Sequence, residues 1–187
     1  MTIPNSEVNS SGMTRHGRLE AFNQHRSLLF AVAYRMLGSS ADAEDLLQET
    51  ALRALRACAH IIHAGDIGDP AILDALRAVA PVSAVRGNND RGAWARKIPV
   101  SRILRIAGAR IFVIHDLAGL DFDPAAKGFQ VVVSGHSHRP REERRDGVLY
   151  VNPGSAGPRR FSLPVAVGKL AVSGAGVQAR LLTLKLR

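Results

Sequence analysis

The stretch VVVSGHSHRP (residues 131–140) places a run of valines directly before Gly135 and two histidines. Further apolar segments end in the same way, because HIIHAGDIGD (60–69), VRGNND (85–90) and VIHD (113–116) each lead into Gly, Asp, Asn or His. Loops that leave rigid strand ends can bring side chains together at one point, so we expect these polar groups to converge. The pattern predicts an α/β fold with a site at its strand ends.

The segments around these motifs alternate between strand and helix patterns. We expect strands at 60–64, 82–85, 131–134 and 148–151, and a helix at 70–79. Glycine-containing breaks predict two hairpins, formed by 101–106 with 110–114 and by 165–172 with 177–184. Upstream, apolar residues at helical spacing predict helices at 19–37 and 41–58, separated by Gly38. The sequence therefore predicts a mixed α/β body preceded by a helical hairpin.

The composition is that of a folded protein with a basic body. The chain has 187 residues, 46% hydrophobic and 22% charged, which argues against general disorder. The formal net charge of the chain is +9. Residues 1–50 carry a net charge of −2, so residues 51–187 carry +11. A basic body favours anionic partners such as phosphate esters or nucleic acid. A GC-rich genome, which encodes many arginines, would give the same bias.

Other features of the sequence bear on location. The longest apolar run in the N-terminal part is residues 28–34, whereas a membrane span needs about 20 residues. The first residues have no apolar signal region, and the single cysteine, Cys58, has no partner for an internal disulfide. We therefore expect a cytoplasmic protein without a membrane partner.

The residue types at the strand ends have the chemistry of metal ligands. Asp oxygens, Asn carbonyl oxygens and His imidazoles together suit a borderline divalent ion such as Mn²⁺, Fe²⁺ or Zn²⁺. A pair of such ions can activate water and stabilise an in-line displacement at phosphorus. Each motif alone has a plainer explanation as a turn or a structural histidine. The ordered set is more specific than any of its members.

That ordered set resembles the calcineurin-like metallophosphoesterases, whose pattern includes Gly-Asp, Gly-Asn-His/Asp, a lone His and Gly-His-x-His. The resemblance is strongest to their small prokaryotic phosphodiesterase branch, which also has counterparts of LYVNPGSAGPRR (149–160). It covers about residues 52–184 and implies two packed β-sheets flanked by helices. It also implies hydrolysis of a phosphoester, in particular a phosphodiester, by metal-activated water. The family uses two divalent ions, for which we expect Mn²⁺.

The resemblance also implies roles for individual residues. Asp66 bridges both ions and is catalytic together with Asn88 and His136. The ligands of one ion are completed by Asn88, His115 and His136, and His138 is a ligand of the other ion. Asn89 stands where many members have a histidine that protonates the leaving group, and an amide cannot act as a general acid. We assign Asn89 to substrate binding, together with arginines that either bind the substrate anion or are ordinary surface charge: Arg139, Arg141, Arg159 and Arg160.

The first motif of the family, Asp-x-His, is missing, because no such triplet occurs in the chain. The strand that carries it in the family has no counterpart before residue 52. One ion would then keep only Asp66 and His138, unless His60 or His63 replaces the lost ligands. Three alternatives follow: an active phosphoesterase with two ions, an impaired one with a single ion, and an inactive metal-binding protein.

The segment before this body has a different resemblance. LEAFNQHRSLLFAVAYRMLGSSADAEDLLQET (19–50) resembles the start of region two of extracytoplasmic-function sigma factors. It implies a contact with RNA polymerase through residues 19–50, although the later promoter-binding helices are absent. The predicted organisation is a disordered segment at 1–17, a helical sigma-like fragment at 18–51 and a phosphoesterase-like domain at 52–187. Association of copies of the chain into a homo-oligomer is left open.

Overall fold

A five-stranded sheet forms the centre of the described part of the chain, which in this computed structural model comprises residues 58–156, 162–173 and 176–183. Its strands are β3 (Ser101–Ile106), β4 (Ala109–Ile114), β5 (Val131–Val133), β6 (Arg141–Arg145) and β7 (Val148–Asn152). The order across the sheet is β3-β4-β5-β7-β6. The three inner strands run parallel, and each edge strand is antiparallel to its neighbour. The predicted segments 1–17 and 18–51 lie outside the described residues.

Two smaller sheets complete the architecture. One pairs β1 (Ile61–His63) in parallel with β2 (Val82–Ala84), and the other is the antiparallel hairpin of β8 (Ala166–Ser173) and β9 (Gly176–Thr183). Helix α1 (Pro70–Arg77) connects β1 to β2, and its N-cap Asp69 accepts a hydrogen bond from the Ala71 N–H. Short 3₁₀ helices occupy Ala95–Lys97 and Leu117–Gly119. Within these described residues, no helix is long and apolar enough to cross a membrane.

The central sheet is covered on both faces. Alternate residues of β4 show this, because Ile111 and Val113 belong to one apolar cluster and Phe112 belongs to another. The first cluster includes apolar residues from the β8–β9 hairpin and from the end of β2, so the smaller sheets pack on this face. The second cluster contains Phe129, which lies in the segment between β4 and β5. Burial on both faces explains why the inner strands are mostly apolar along their whole length.

The predicted fold class is confirmed. Every strand and helix predicted within the described residues is present, with ends displaced by two residues or fewer. Strand β6 was not predicted, because its sequence REERR contains no apolar residue. It forms through the Asp146-Gly147 turn, whose φ angles of 49° and 79° return the chain antiparallel to β7. Asp-Gly followed by an apolar run is the signal that would have found it.

Glycines allow the ends of β1, β2 and β4 to meet at one edge. A Cβ at Gly65 would lie 2.5 Å from Nδ1 of His115, which follows β4. A Cβ at Gly87, after β2, would overlap the backbone nitrogen of Asp66. Backbone and ring can approach this closely only when the side chain is absent. The two glycines therefore bring the loops after three strands into contact.

Asp90 fixes the two loops of the smaller parallel sheet relative to each other. Its carboxylate is buried and accepts hydrogen bonds from the Gly68 N–H at 2.9 Å and from the Gly87 N–H at 2.8 Å. One oxygen serves the loop after β1 and the other serves the loop after β2. Asp90 thus holds the backbone after β1 at a fixed distance from the backbone after β2.

We predict that Asp90→Ala lowers the free energy of unfolding by about 2–4 kcal/mol, since two backbone N–H groups lose a charged acceptor. Urea denaturation followed by circular dichroism measures the change. Asp121→Ala is the matched control, because Asp121 is exposed in a loop and we expect its loss to change stability by less than about 0.5 kcal/mol. Equal effects of the two substitutions would contradict the role assigned to Asp90.

Candidate metal centre

Four loops bring electron-pair donors to one point at the shared edge of the sheets. Asn88 Oδ1 lies 2.9 Å from Nε2 of His115 and 3.1 Å from Nδ1 of His136. The two ring nitrogens are 3.3 Å apart, and Asp66 Oδ1 lies 3.5 Å from Nε2 of His115. The structure thus brings together all four residues that the sequence assigned to one ion. His115 is buried, whereas His136 is half exposed.

The orientation of His115 is fixed by a backbone carbonyl. Its Nδ1 lies 2.7 Å from the carbonyl oxygen of Ala64, and because a carbonyl only accepts, Nδ1 must carry the proton. In the neutral ring, Nε2 then holds a lone pair that points at the shared centre. This is the arrangement of a metal-binding histidine, whose other nitrogen donates to a carbonyl or carboxylate.

His136 directs Nδ1 at the centre, whereas His115 directs Nε2 there. Nε2 of His136 lies 3.7 Å from Oδ2 of Asp116, which leaves Nδ1 directed at Asn88 and His115. Asp116 is held by its other oxygen, which accepts a hydrogen bond from the Ala118 N–H at 3.0 Å. The two rings meet edge to face at 82°, with centroids 5.2 Å apart. The sequence pattern places Asp116 among the polar residues at the strand ends but assigned it no role.

The donor set fits a divalent cation. Among the described residues, no group of three His, Cys, Asp or Glu side chains is arranged to hold a metal by itself. The amide oxygen of Asn88 supplies the additional acceptor between the two imidazoles. A single proton can satisfy one pair of these close acceptor atoms, whereas a cation satisfies all of them together. Nitrogen and oxygen donors of this kind suit Mn²⁺, Fe²⁺ or Zn²⁺.

Asn89 binds Asp66 through both its backbone and its side chain. The Asn89 N–H donates to Oδ1 of Asp66 at 2.9 Å, and its side-chain amide donates to Oδ2 at 2.7 Å. Burial acts to raise the pKa of Asp66. The hydrogen bonds from Asn89, together with the neighbouring His115 and His138, outweigh that effect, so the pKa of Asp66 lies below its ordinary value. Asp66 is therefore kept ionised, as a metal ligand must be.

Backbone strain is concentrated at this centre. Three of its non-glycine residues, Asp66, His136 and His138, have φ angles of 56°, 62° and 56° in the left-handed region. The loop carrying the histidines is supported from β7, where the Asn152 side chain donates to the Gly135 carbonyl at 2.6 Å. Strained residues of this kind cluster at functional sites, where the surrounding structure holds them in place.

A pocket of about 370 Å³ opens beside the donors. It is lined by Asp66, Asn88, Asn89, His136, Ser137, His138 and Leu163. The predicted substrate-binding residue Asn89 and the predicted ligand His138 therefore share this pocket. Arg139 is exposed next to His138 but does not line it, and Arg141 pairs with Glu143 at 2.6 Å. Arg159 and Arg160 lie outside the described residues.

The other two histidines proposed as replacement ligands do not line the pocket. Nε2 of His60 lies 2.9 Å from Oγ of Ser83, on the adjacent strand. His63 has a buried Nδ1 without a hydrogen-bond partner. Burial lowers the pKa of His63 below its ordinary value, although the charges of Asp90 and Asp66 oppose that shift. His63 is thus a neutral ring behind the centre.

Comparisons with known proteins agree on the family. The sequence model of the calcineurin-like phosphoesterase superfamily domain matches residues 42–173. A protein of Methanothermobacter thermautotrophicus described as a probable metallophosphoesterase is 32% identical over 148 residues, which cover 75% of this chain and 85% of that protein.

Two solved structures share the fold. A predicted phosphoesterase from Streptococcus pneumoniae has a TM-score of 0.57 at 20% identity, with 72% of this chain and 79% of that chain covered. Vps29 of Entamoeba histolytica, solved in complex with Zn²⁺, has a TM-score of 0.51 at 17% identity, with 73% and 88% covered. At such identities the likeness shows the fold alone. The match to the family's sequence model, however, spans more than half of the chain. Together with the 32% identical relative, it shows that this protein belongs to the calcineurin-like phosphoesterase superfamily.

Proposed function

We propose that the protein hydrolyses phosphodiesters in a reaction that depends on a divalent metal ion. The observation that carries this proposal is the convergence of acceptor atoms from Asp66, Asn88, His115 and His136 beside an open pocket. Membership of the phosphoesterase superfamily supports the reaction class. The phosphodiester as substrate and Mn²⁺ as the ion are our inferences from the resemblance to the small prokaryotic branch.

The residues of the chain divide the work between holding the ion and placing the substrate. A bound divalent cation supplies positive charge for the phosphoryl oxygens and lowers the pKa of a water molecule. Asp66, kept ionised by Asn89, supplies the negative charge that holds the cation. His115 is fixed by Ala64, so its ring need not reorganise when the cation binds, and the carboxylate of Asp116 lies 3.7 Å from Nε2 of His136.

We further infer that the site holds a single ion. A second ion beside Asp66 would compete with the Asn89 side-chain amide, which donates to Oδ2 of Asp66 at 2.7 Å. The Asp-x-His motif that would supply the other ligands is absent from the chain. The Asn89 amide, with its partial positive charge, takes the place of the second cation beside Asp66. A catalytically inactive metal-binding protein is the alternative that the same two features favour.

We predict that the Mn²⁺-loaded protein hydrolyses bis-p-nitrophenyl phosphate and that His136→Ala lowers kcat/KM by about 100-fold or more. The reason is that a metal contributes several kcal/mol to the stabilisation of the transition state, and each 1.4 kcal/mol is tenfold in rate. Release of p-nitrophenolate measures the rate. The control is His60→Ala, which removes an imidazole that binds Ser83 outside the pocket.

His60→Ala should retain most of the activity, and circular dichroism should show that both variants are folded. A wild-type rate no higher than that of His136→Ala would reject phosphodiester hydrolysis and leave the inactive metal-binding protein. The contact of residues 19–50 with RNA polymerase remains a separate prediction, since those residues lie outside the described structure.

We predict about one equivalent of Mn²⁺ per chain after incubation with excess metal and gel filtration, because the described residues hold one complete set of donors. Elemental analysis of the purified protein measures the ratio. His115→Ala should reduce it to near zero, whereas His60→Ala should leave it unchanged. Two equivalents in the wild-type protein would contradict the single-ion site and the role given to Asn89.

A further inference from the structure

The loop between β2 and β3, residues 86–99, is strongly basic and is attached at the metal centre. We call it the basic loop. Its first part contains Asn88 and Asn89, which line the pocket. Its last residue returns to the same place, because the Pro99 carbonyl accepts a hydrogen bond from the Arg86 N–H at 2.8 Å. Both ends of the basic loop are therefore fixed at the end of β2, beside the pocket.

Three cations of the basic loop are exposed, and the described part of the chain does not neutralise them. Arg91, Arg96 and Lys97 point to solvent, and none of them forms an ion pair with any residue that the structure describes. The acid in the loop is Asp90, whose two oxygens are buried against backbone N–H groups. Some cations outside the loop are paired, because Arg77 pairs with Asp74 and both Arg141 and Arg145 pair with Glu143.

Apolar residues hold the basic loop in one position. Trp94 and Ile98 pack against the cluster of Ile67, Ile72, Leu73 and Ala84 beneath the loop, and Ala95 is 1% exposed. The 3₁₀ helix Ala95–Lys97 places Arg96 and Lys97 on the opposite, outer side. The backbone that carries the positive charges is thus fixed before any ligand binds, which reduces the entropic cost of binding.

The pocket is too small for an extended substrate. Its volume of about 370 Å³ is near the lower end of the range for small-molecule sites. It can take one phosphodiester with its neighbouring groups, so the rest of a longer strand must lie on the surface. Asp121 and Asp123 are exposed in the segment that follows Asp116, whereas the exposed residues of the basic loop include the cations Arg91, Arg96 and Lys97. The positive charge of the basic loop therefore favours a path along this loop for the part of an anionic strand that lies outside the pocket.

On these grounds we propose that the basic loop binds the backbone of a single-stranded nucleic acid and directs one of its phosphodiesters to the metal centre. This inference rests on the proposed function and names its substrate class. Exposed arginines and lysines that contact successive phosphates release counterions, which makes such binding depend strongly on salt. An anionic membrane is the competing ligand, because Val100 follows the loop and is 59% exposed.

We predict that the double variant Arg96→Gln/Lys97→Gln weakens binding of a fluorescein-labelled oligothymidylate and lowers the slope of log K against log salt by about 1.4. This is the change expected when two phosphate contacts to a single strand are lost. Fluorescence anisotropy of the full chain, without added metal, over about 50–200 mM KCl measures both quantities. Arg91→Gln alone should lower the slope by about 0.7.

The matched control is Arg77→Gln/Arg145→Gln, which removes the same charge from residues that pair with Asp74 and Glu143. We expect this control to bind the strand nearly as the wild type does. An equal loss in both double variants would show that net charge alone matters and would overturn the proposal. A loss of binding to phosphatidylglycerol vesicles with unchanged oligonucleotide binding would also overturn it.

Activity on bis-p-nitrophenyl phosphate separates this inference from the proposed function. Arg96 and Lys97 do not line the pocket that takes this substrate. The Mn²⁺-loaded Arg96→Gln/Lys97→Gln variant should therefore hydrolyse it at the wild-type rate while cleaving the oligonucleotide more slowly. Hydrolysis of both substrates at wild-type rates would reject the loop as a nucleic-acid site and keep the phosphodiesterase. Strand binding that depends on the loop, in a protein with no hydrolysis, would retain the binding surface and reject the reaction.

Discussion

The hydrogen bond from Nδ1 of His115 to the carbonyl oxygen of Ala64 is the contact on which the metal centre depends. It joins the end of β4 in the central sheet to the end of β1 in the smaller parallel sheet, across a distance of 2.7 Å. It also decides which ring nitrogen faces the centre, because the protonated nitrogen is committed to the carbonyl. Gly65 is required beside it, since a Cβ there would lie 2.5 Å from the same nitrogen.

The centre combines groups that would repel each other and backbone conformations that are unfavourable alone. Asn88 Oδ1 and Nε2 of His115 both present lone pairs at 2.9 Å, and left-handed φ angles at Asp66 and His136 cost free energy for residues with a Cβ. Contacts from outside the centre hold this arrangement, among them the hydrogen bonds of Asp90 to the backbone after β1 and β2. Binding of a cation would stabilise this folded state, because the cation removes the repulsion between the acceptors that the scaffold holds together.

Sequence patterns predicted the parts of this structure that depend on local rules. The buried apolar segments predicted β5 and its neighbours in the sheet. The polar residues after each strand predicted the members of the candidate centre. Strand β6 was missed because the Asp146-Gly147 turn, not hydrophobicity, creates it. The contact of Asn89 with Asp66 was not predicted, because the strand-end pattern indicates which residues converge but not which side chains form hydrogen bonds there. Family resemblance suggested a substrate contact at Asn89, whereas the folded chain places its amide on the carboxylate.

The basic loop shows why the metal centre and its surroundings should be considered as one unit. The backbone that carries Asn88 toward the two histidines continues, within a few residues, into Arg91, and Asp90 holds that backbone at Gly87. Trp94 and Ile98 then anchor the same loop on the core beneath it. Because both ends of the loop are fixed at β2, its charges cannot move far from the donors without displacing Asn88 itself. The physical consequence is that the positive surface has a constant position relative to the site where a phosphoryl group would bind.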